Sequence, residues 1–172
     1  SLEPSNVDVL ITLARIALAD PPPSPGKEPP PGKIDEASRR GAEQAALLID
    51  MASDIAPDNA EALSVRASVE EQRGRGDTAT ELLEKVAKRE ERNAFVRMRI
   101  VRRHVHAGAW ERAGSVAEEV CALAPDATEA WSQASGVALA TGRADEAISL
   151  ALTGLQRCGP DPELIAAAVV AA

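Results

Sequence analysis

Gly74, Gly108 and Gly142 stand 34 residues apart in a chain of 172. Five positions after each comes an alanine: Ala79, Ala113 and Ala147. Pro57 and Pro125 recur two of these periods apart. A period of this length marks stacked supersecondary units, because a single unit of that size cannot bury its own apolar face. In register, residues 60–93, 94–127 and 128–161 form three consecutive units, which accounts for most of the chain.

The recurring residues describe a helix, a tight turn and a second helix. Glycine ends the first helix where a left-handed backbone is required. Asp77 and Asp145 are placed to cap the second helix, with Thr78 and Glu81 as an alternative capping box in the first unit. The alanine lets the two helices cross closely. The proline of "APDNAEAL" and "APDATEAW" then stops the second helix before the chain restarts. Composition agrees: 45% of residues are hydrophobic but only 2% are aromatic, with no tyrosine. The core must therefore be built from Ala, Leu, Val and Ile, of which Ala and Leu are strong helix formers. No β-branched run alternates with period two, so the chain is predicted to be all-α.

The unit "TEAWSQASGVALATGRADEAISLALTGLQ" carries Trp131, Gly142 and "DEAI" around Ala147, while Trp110 and Pro125 mark the middle unit. Over residues 34–161 the chain resembles the tetratricopeptide repeat (TPR) family. The resemblance implies a right-handed α-solenoid of antiparallel helix hairpins. The sequence departs from the family pattern at Arg66, where leucine is usual, at Glu91 and Gly159, where proline is usual, and at Arg97, where tryptophan is usual.

Residues 1–59 read as a partial repeat. "GAEQAALLIDMASDIAP" is its second helix, and residues 5–19 supply the first. There Ser5 and Asp8 have capping-box spacing, and Val9, Leu10, Leu13, Ile16 and Ala17 make an apolar stripe. Between them lies a Pro-rich connection over residues 20–33, which reads either as a stiff solvated loop or as a polyproline ligand for an SH3-like domain. Asp161 and Pro162 are placed to start a helix over residues 162–172, which caps the stack or opens another unit. The missing initial Met and the apolar end "ELIAAAVVAA" read as a piece cut from a longer chain and without its targeting information; a soluble protein is expected, with the cytoplasm slightly favoured.

A net charge of −8 argues against nucleic-acid binding, which needs a broad basic surface. The apolar run Val7 to Ala19 is too short to span a bilayer and contains Asp8 and Arg15, so direct membrane insertion is not expected. Cys121 and Cys158 sit in no metal or redox motif and read as isolated thiols. His104 and His106, two apart, fall on different helix faces and make a poor metal pair. "PSPGKEPPPGK" lacks the order of a phosphate-binding loop. Neither a catalytic constellation nor a cofactor or metal site is expected.

The segment "FVRMRIVRRHVH", Phe95 to His106, breaks the acidic pattern with four arginines, two histidines and no acid. Phe95, Arg99, Arg102 and His106 fall in one narrow helical sector. The TPR resemblance implies that this sector lines a concave groove, together with Glu61, Ser64, Val65, Ser68 and Gln72 of the first unit and Glu129, Ser132, Gln133, Gly136 and Leu139 of the third. The candidate peptide-binding residues are Phe95, Met98, Arg99, Arg102, His106, Ser132 and Gln133. Arginines suit an acidic segment, and Phe95 with Met98 would add an apolar anchor. The competing reading is an internal charge network, in which Glu61, Glu70, Glu71, Glu129 or the acids of "AEEV" pair with these arginines. Arg97 and His104 fall on the apolar arc, His104 as a packed histidine and Arg97 snorkelling, while Arg103 would reach a neighbouring helix. Ser64 and Ser68 stand where a chaperone-tail clamp would need Lys and Asn, so that partner is not expected. The expected function is a non-catalytic adaptor that binds a protein or peptide. The alternatives are a regulatory or spacer region of a larger enzyme, such as a kinase or transferase, and self-association through the C-terminal helix.

Overall fold

The computed structural model describes residues 4–19 and 36–171. The described residues form helices and turns, with no strand among them. In chain order the helices are α1 (Pro4–Leu18), α2 (Glu36–Ile55), α3 (Ala60–Gln72), α4 (Gly76–Arg89), α5 (Ala94–His106), α6 (Trp110–Leu123), α7 (Thr128–Ala140), α8 (Ala144–Cys158) and α9 (Pro162–Ala171). The Pro-rich segment lies outside the described residues.

Two compact units divide the chain, Ser1–Arg89 and Glu90–Ala172. In the first, α1 pairs with α2 and α3 with α4, and α3 also packs on both α1 and α2. In the second, α5 pairs with α6 and α7 with α8, while α7 touches α5, α6 and α9. Each unit therefore stacks helix hairpins, as the 34-residue period requires.

The turn glycines explain how the hairpins reverse. Gly74, Gly108 and Gly142 adopt φ of 74°, 69° and 75°, the left-handed region that glycine enters without steric penalty. After each, the next N–H reaches back to close the helix end: Arg75 donates to the Glu70 carbonyl at 2.8 Å, Ala109 to His104 at 2.9 Å and Arg143 to Ala138 at 2.9 Å. This recurring bond satisfies carbonyls that a helix terminus otherwise orphans. Ala79, Ala113 and Ala147 are fully buried where the paired helices cross.

Capping differs from the expectation. The second helix of each hairpin starts before the acids thought to cap it, so Asp77 and Asp145 sit inside the first turns of α4 and α8. Thr78 likewise lies within α4. There the acids face the positive end of the helix dipole, a smaller but still favourable effect. Side-chain caps occur instead on first helices. Asn59 Oδ1 accepts the Ala62 N–H and Asn93 Oδ1 the Val96 N–H, both at 3.0 Å. Asp161 caps α9 as its sequence indicated, accepting from Glu163 at 2.8 Å and Leu164 at 3.3 Å.

The core of the first unit gathers Val7, Ile11 and Ala14 of α1 with Ala45, Ile49 and Ala52 of α2 and Ala62, Val65 and Val69 of α3. This corrects the stripe assigned to α1, because Val9, Leu13 and Ile16 are exposed. The helix is apolar on nearly every side, so its periodicity does not select a face; packing on α2 and α3 does. Nor does Ser5 precede the helix, which begins at Pro4. Gly41 lets α2 approach the Ala17 carbonyl so closely that no side chain would fit. At Arg66, the leucine position of the family pattern, the guanidinium reaches back to Asp50 of α2 at 2.9 Å.

In the second unit the core joins Met98 and Val101 of α5, Ala117, Val120 and Cys121 of α6, and Ala130 and Ala134 of α7. Further along, Ala138 and Ala147 meet Ala171 of α9. The outer side of α9, with Ile165, Val169 and Val170, faces solvent.

Candidate functional site

Within the second unit, α5 and α7 lie side by side as the first helices of successive hairpins. Asn93 fixes where α5 begins and thereby orients its arginines. Phe95, in the first turn, is 67% exposed. Arg99 is half-buried one turn on, and His106 is exposed in the last turn. Ser132 and Gln133 are half-buried on α7.

Met98 does not belong to this surface. It is 6% exposed and packs with Val101, Ala117 and Val120, so it cannot anchor a ligand without opening the core. Val65, assigned to the groove in the first unit, is buried for the same reason. Both positions border the apolar arc of their helices, and a one-residue change of angular position carries a side chain from the rim into the interior.

Arg102 crosses from α5 to α7. Its Nε donates to Glu129 Oε1 at 3.0 Å, and Nη2 donates to the same oxygen. The ion pair that the sequence left as an alternative is thus formed between two of the expected groove residues. Glu61 occupies the same position two periods earlier, on α3, and receives Arg15 of α1 at 2.8 Å. Among the described residues an arginine-to-glutamate bridge therefore joins successive first helices in both units. Phe95 stands at the corresponding position of the middle repeat. In the first unit, Gln72 Nε2 of α3 donates to the Leu18 carbonyl at 3.4 Å, and on the same helix Ser68 Oγ donates to the Ser64 carbonyl at 3.4 Å.

Arg97 snorkels, and it does more. Its Nε meets Glu119 of α6 at 3.1 Å, and its Nη1 donates to the Glu90 carbonyl at 3.3 Å in the turn ahead of α5. Trp131, one period later, donates its indole N–H to the Pro125 carbonyl at 2.9 Å in the turn ahead of α7. Two different side chains at one repeat position clasp the preceding turn. His104 is buried, as a packed histidine should be. Arg103, expected to bridge to a neighbouring helix, keeps its Nε buried without an acceptor.

A cavity of about 440 Å³ opens elsewhere on the second unit, lined by Glu111, Gly114, Ser115, Glu118, Thr141 and Arg143. Arg143 is already engaged there, with Glu146 at 2.9 Å and Thr141 at 2.9 Å. Among the described residues no group of three or more His, Cys, Asp or Glu could hold a metal ion. No described helix is long and apolar enough to cross a membrane. Burial pushes the Cys121 thiol up to about 11, with lesser contributions from Cys158 and Glu118 nearby.

No protein-family model matches the chain, and no curated protein matches it in sequence. Solved structures do match in fold. A MamA RS-1 double mutant superposes over 99% of this chain and 85% of its own, with a TM-score of 0.76 and 12% identity. Pseudomonas aeruginosa PilF covers 97% of this chain and 68% of its own, at 0.71 and 19%. These neighbours contain tetratricopeptide repeats.

The fold is the tetratricopeptide-repeat fold.

A third TPR neighbour, a Thermobaculum terrenum O-GlcNAc transferase mutant, matches 91% of this chain but only 27% of the transferase, with a TM-score of 0.67 and 18% identity. In the TPR fold the first helices of successive hairpins adjoin, as α5 and α7 do here. No signal local to α5 could have revealed the Arg102–Glu129 bridge, since its partners are 27 residues apart. The 34-residue period places them on adjacent helices.

Proposed function

We propose that the chain is a non-catalytic protein-interaction scaffold whose α5–α7 face binds a peptide or protein segment of acidic character. One observation carries the reading: a large exposed aromatic ring, Phe95, heads the helix on which Arg99 and Arg102 follow at spacings of four and three. An exposed phenyl group next to guanidinium groups suits a segment that pairs an apolar residue with carboxylates. His106, Ser132 and Gln133 supply polar contacts around it. The TPR neighbours support the general protein-binding role.

Replacing Arg99 and Arg102 together by Glu tests this. Capture of acidic partners should be lost while helicity is retained. Undiminished capture by the folded double variant rejects the reading.

A second reading has its own support. The transferase neighbour matches this chain over about a quarter of its length, so a TPR region can form part of a larger enzyme. On that reading the chain is a regulatory or spacer region that holds an enzyme in an assembly. Sequence flanking these 172 residues decides between the two.

A further inference from the structure

We infer that Glu129 is a built-in competitor for the acidic ligand, occupying the edge of Arg102 that the ligand's carboxylate would take. The inference rests on the proposed binding of an acidic segment at the α5–α7 face. Nε and Nη2 form the side of a guanidinium that grips a carboxylate, and in Arg102 both point at Glu129 Oε1. Each partner of this pair is about half exposed, at 45% and 48%, so an incoming carboxylate can reach the pair and exchange with Glu129. The contact also joins two helices, so exchange would exploit a bridge already present in the fold rather than create a site anew.

Specificity follows from the competition. A lone carboxylate gains little, because it replaces one carboxylate with another. A segment that also covers Phe95 gains apolar burial that Glu129 cannot match. The face would therefore reject simple anions and select acidic segments that carry a neighbouring apolar residue. Glu129 would set the threshold.

The test uses the full chain and a fluorescein-labelled peptide of six glutamates followed by one phenylalanine, titrated by fluorescence anisotropy at low salt. Glu129→Gln should bind it about two- to fivefold more tightly than the unaltered chain, the range expected from removing one exposed ion pair. Glu119→Gln removes the same charge from the same unit but from Arg97 rather than Arg102, and should change affinity far less. Equal tightening by both variants overturns the inference, since bulk charge would then explain it. Unaltered or weaker binding by Glu129→Gln overturns it too, while loss of binding in Arg102→Glu would leave the parent reading standing. If the peptide binds neither the unaltered chain nor Glu129→Gln, or if Arg99→Glu/Arg102→Glu binds as well as both, the acidic-ligand reading falls and this inference falls with it.

Discussion

Gly154 of α8 lies directly against Trp131 of α7: a Cβ built at Gly154 would sit 2.7 Å from Trp131 Cβ and 2.9 Å from Cγ. The same Cβ would come within 3.0 Å of Leu164 Cδ1 of α9, so three helices converge on a site without a side chain. Leu164 can rotate away, but Trp131 Cβ is bonded to the backbone and cannot. Gly154→Ala should therefore destabilise the chain by about 1–2 kcal/mol, an overpacking cost partly offset by alanine's better helix propensity. Urea unfolding followed by circular dichroism measures it. A midpoint equal to that of the unaltered chain would show that α7 and α8 can move apart.

Two other glycines should respond in opposite directions. Gly108 has φ of 69° and open space around it, so Gly108→Ala meets no clash but strains the backbone, costing about 1 kcal/mol. Gly136 is in the interior of α7, also with open space. Gly136→Ala should stabilise by about 0.5–1 kcal/mol through helix propensity alone. Thermal unfolding of the two variants side by side checks the signs.

Arg97 and Glu119 should couple weakly. Their contact at 3.1 Å leaves Glu119 mostly exposed, so a double-mutant cycle with Arg97→Met and Glu119→Gln should give at most about 1 kcal/mol. That coupling should shrink in 1 M salt, whereas the single cost of Arg97→Met, which includes the lost bond to the Glu90 carbonyl, should largely persist.

Cys121 should behave as a protected thiol. Its ordinary value near 9.0 is raised to about 11, chiefly by burial. Between these values the unfolded chain releases a proton that the folded one retains. The contribution is therefore fully present below about pH 9 and is lost as pH rises towards about 11. A thiol reagent at pH 8 should modify the partly exposed Cys158 before Cys121, as mass analysis of the labelled peptides would show.

Much of the architecture was legible because the period concerns turns, and turns have strict chemical requirements. Only glycine readily enters the left-handed backbone at 74, 108 and 142, so three glycines at equal intervals announce three reversals. Faces were harder to read. Helix α1 has aliphatic residues at Val7, Val9, Leu10, Ile11, Leu13 and Ile16, and only the neighbouring helices decide which are covered. Met98 lies next to Arg97 and Arg99 in sequence, yet it is drawn into the core by α6 and α7. The caps Asn59 and Asn93 act on α3 and α5, whose starts carry a weaker signal than the conspicuous acids at the second helices. The contact between Gly154 and Trp131 has no local signature at all, since it depends on how closely two helices approach.

The shared position of Arg97 and Trp131 makes one clasp ionic and the other neutral. An indole N–H on a carbonyl keeps most of its strength in brine, whereas a guanidinium divided between a carboxylate and a carbonyl surrenders part of its grip. Rising ionic strength should thus loosen the approach to α5 ahead of the approach to α7, and a peptide resting on Phe95 would meet a softer helix entrance in concentrated salt than in dilute buffer.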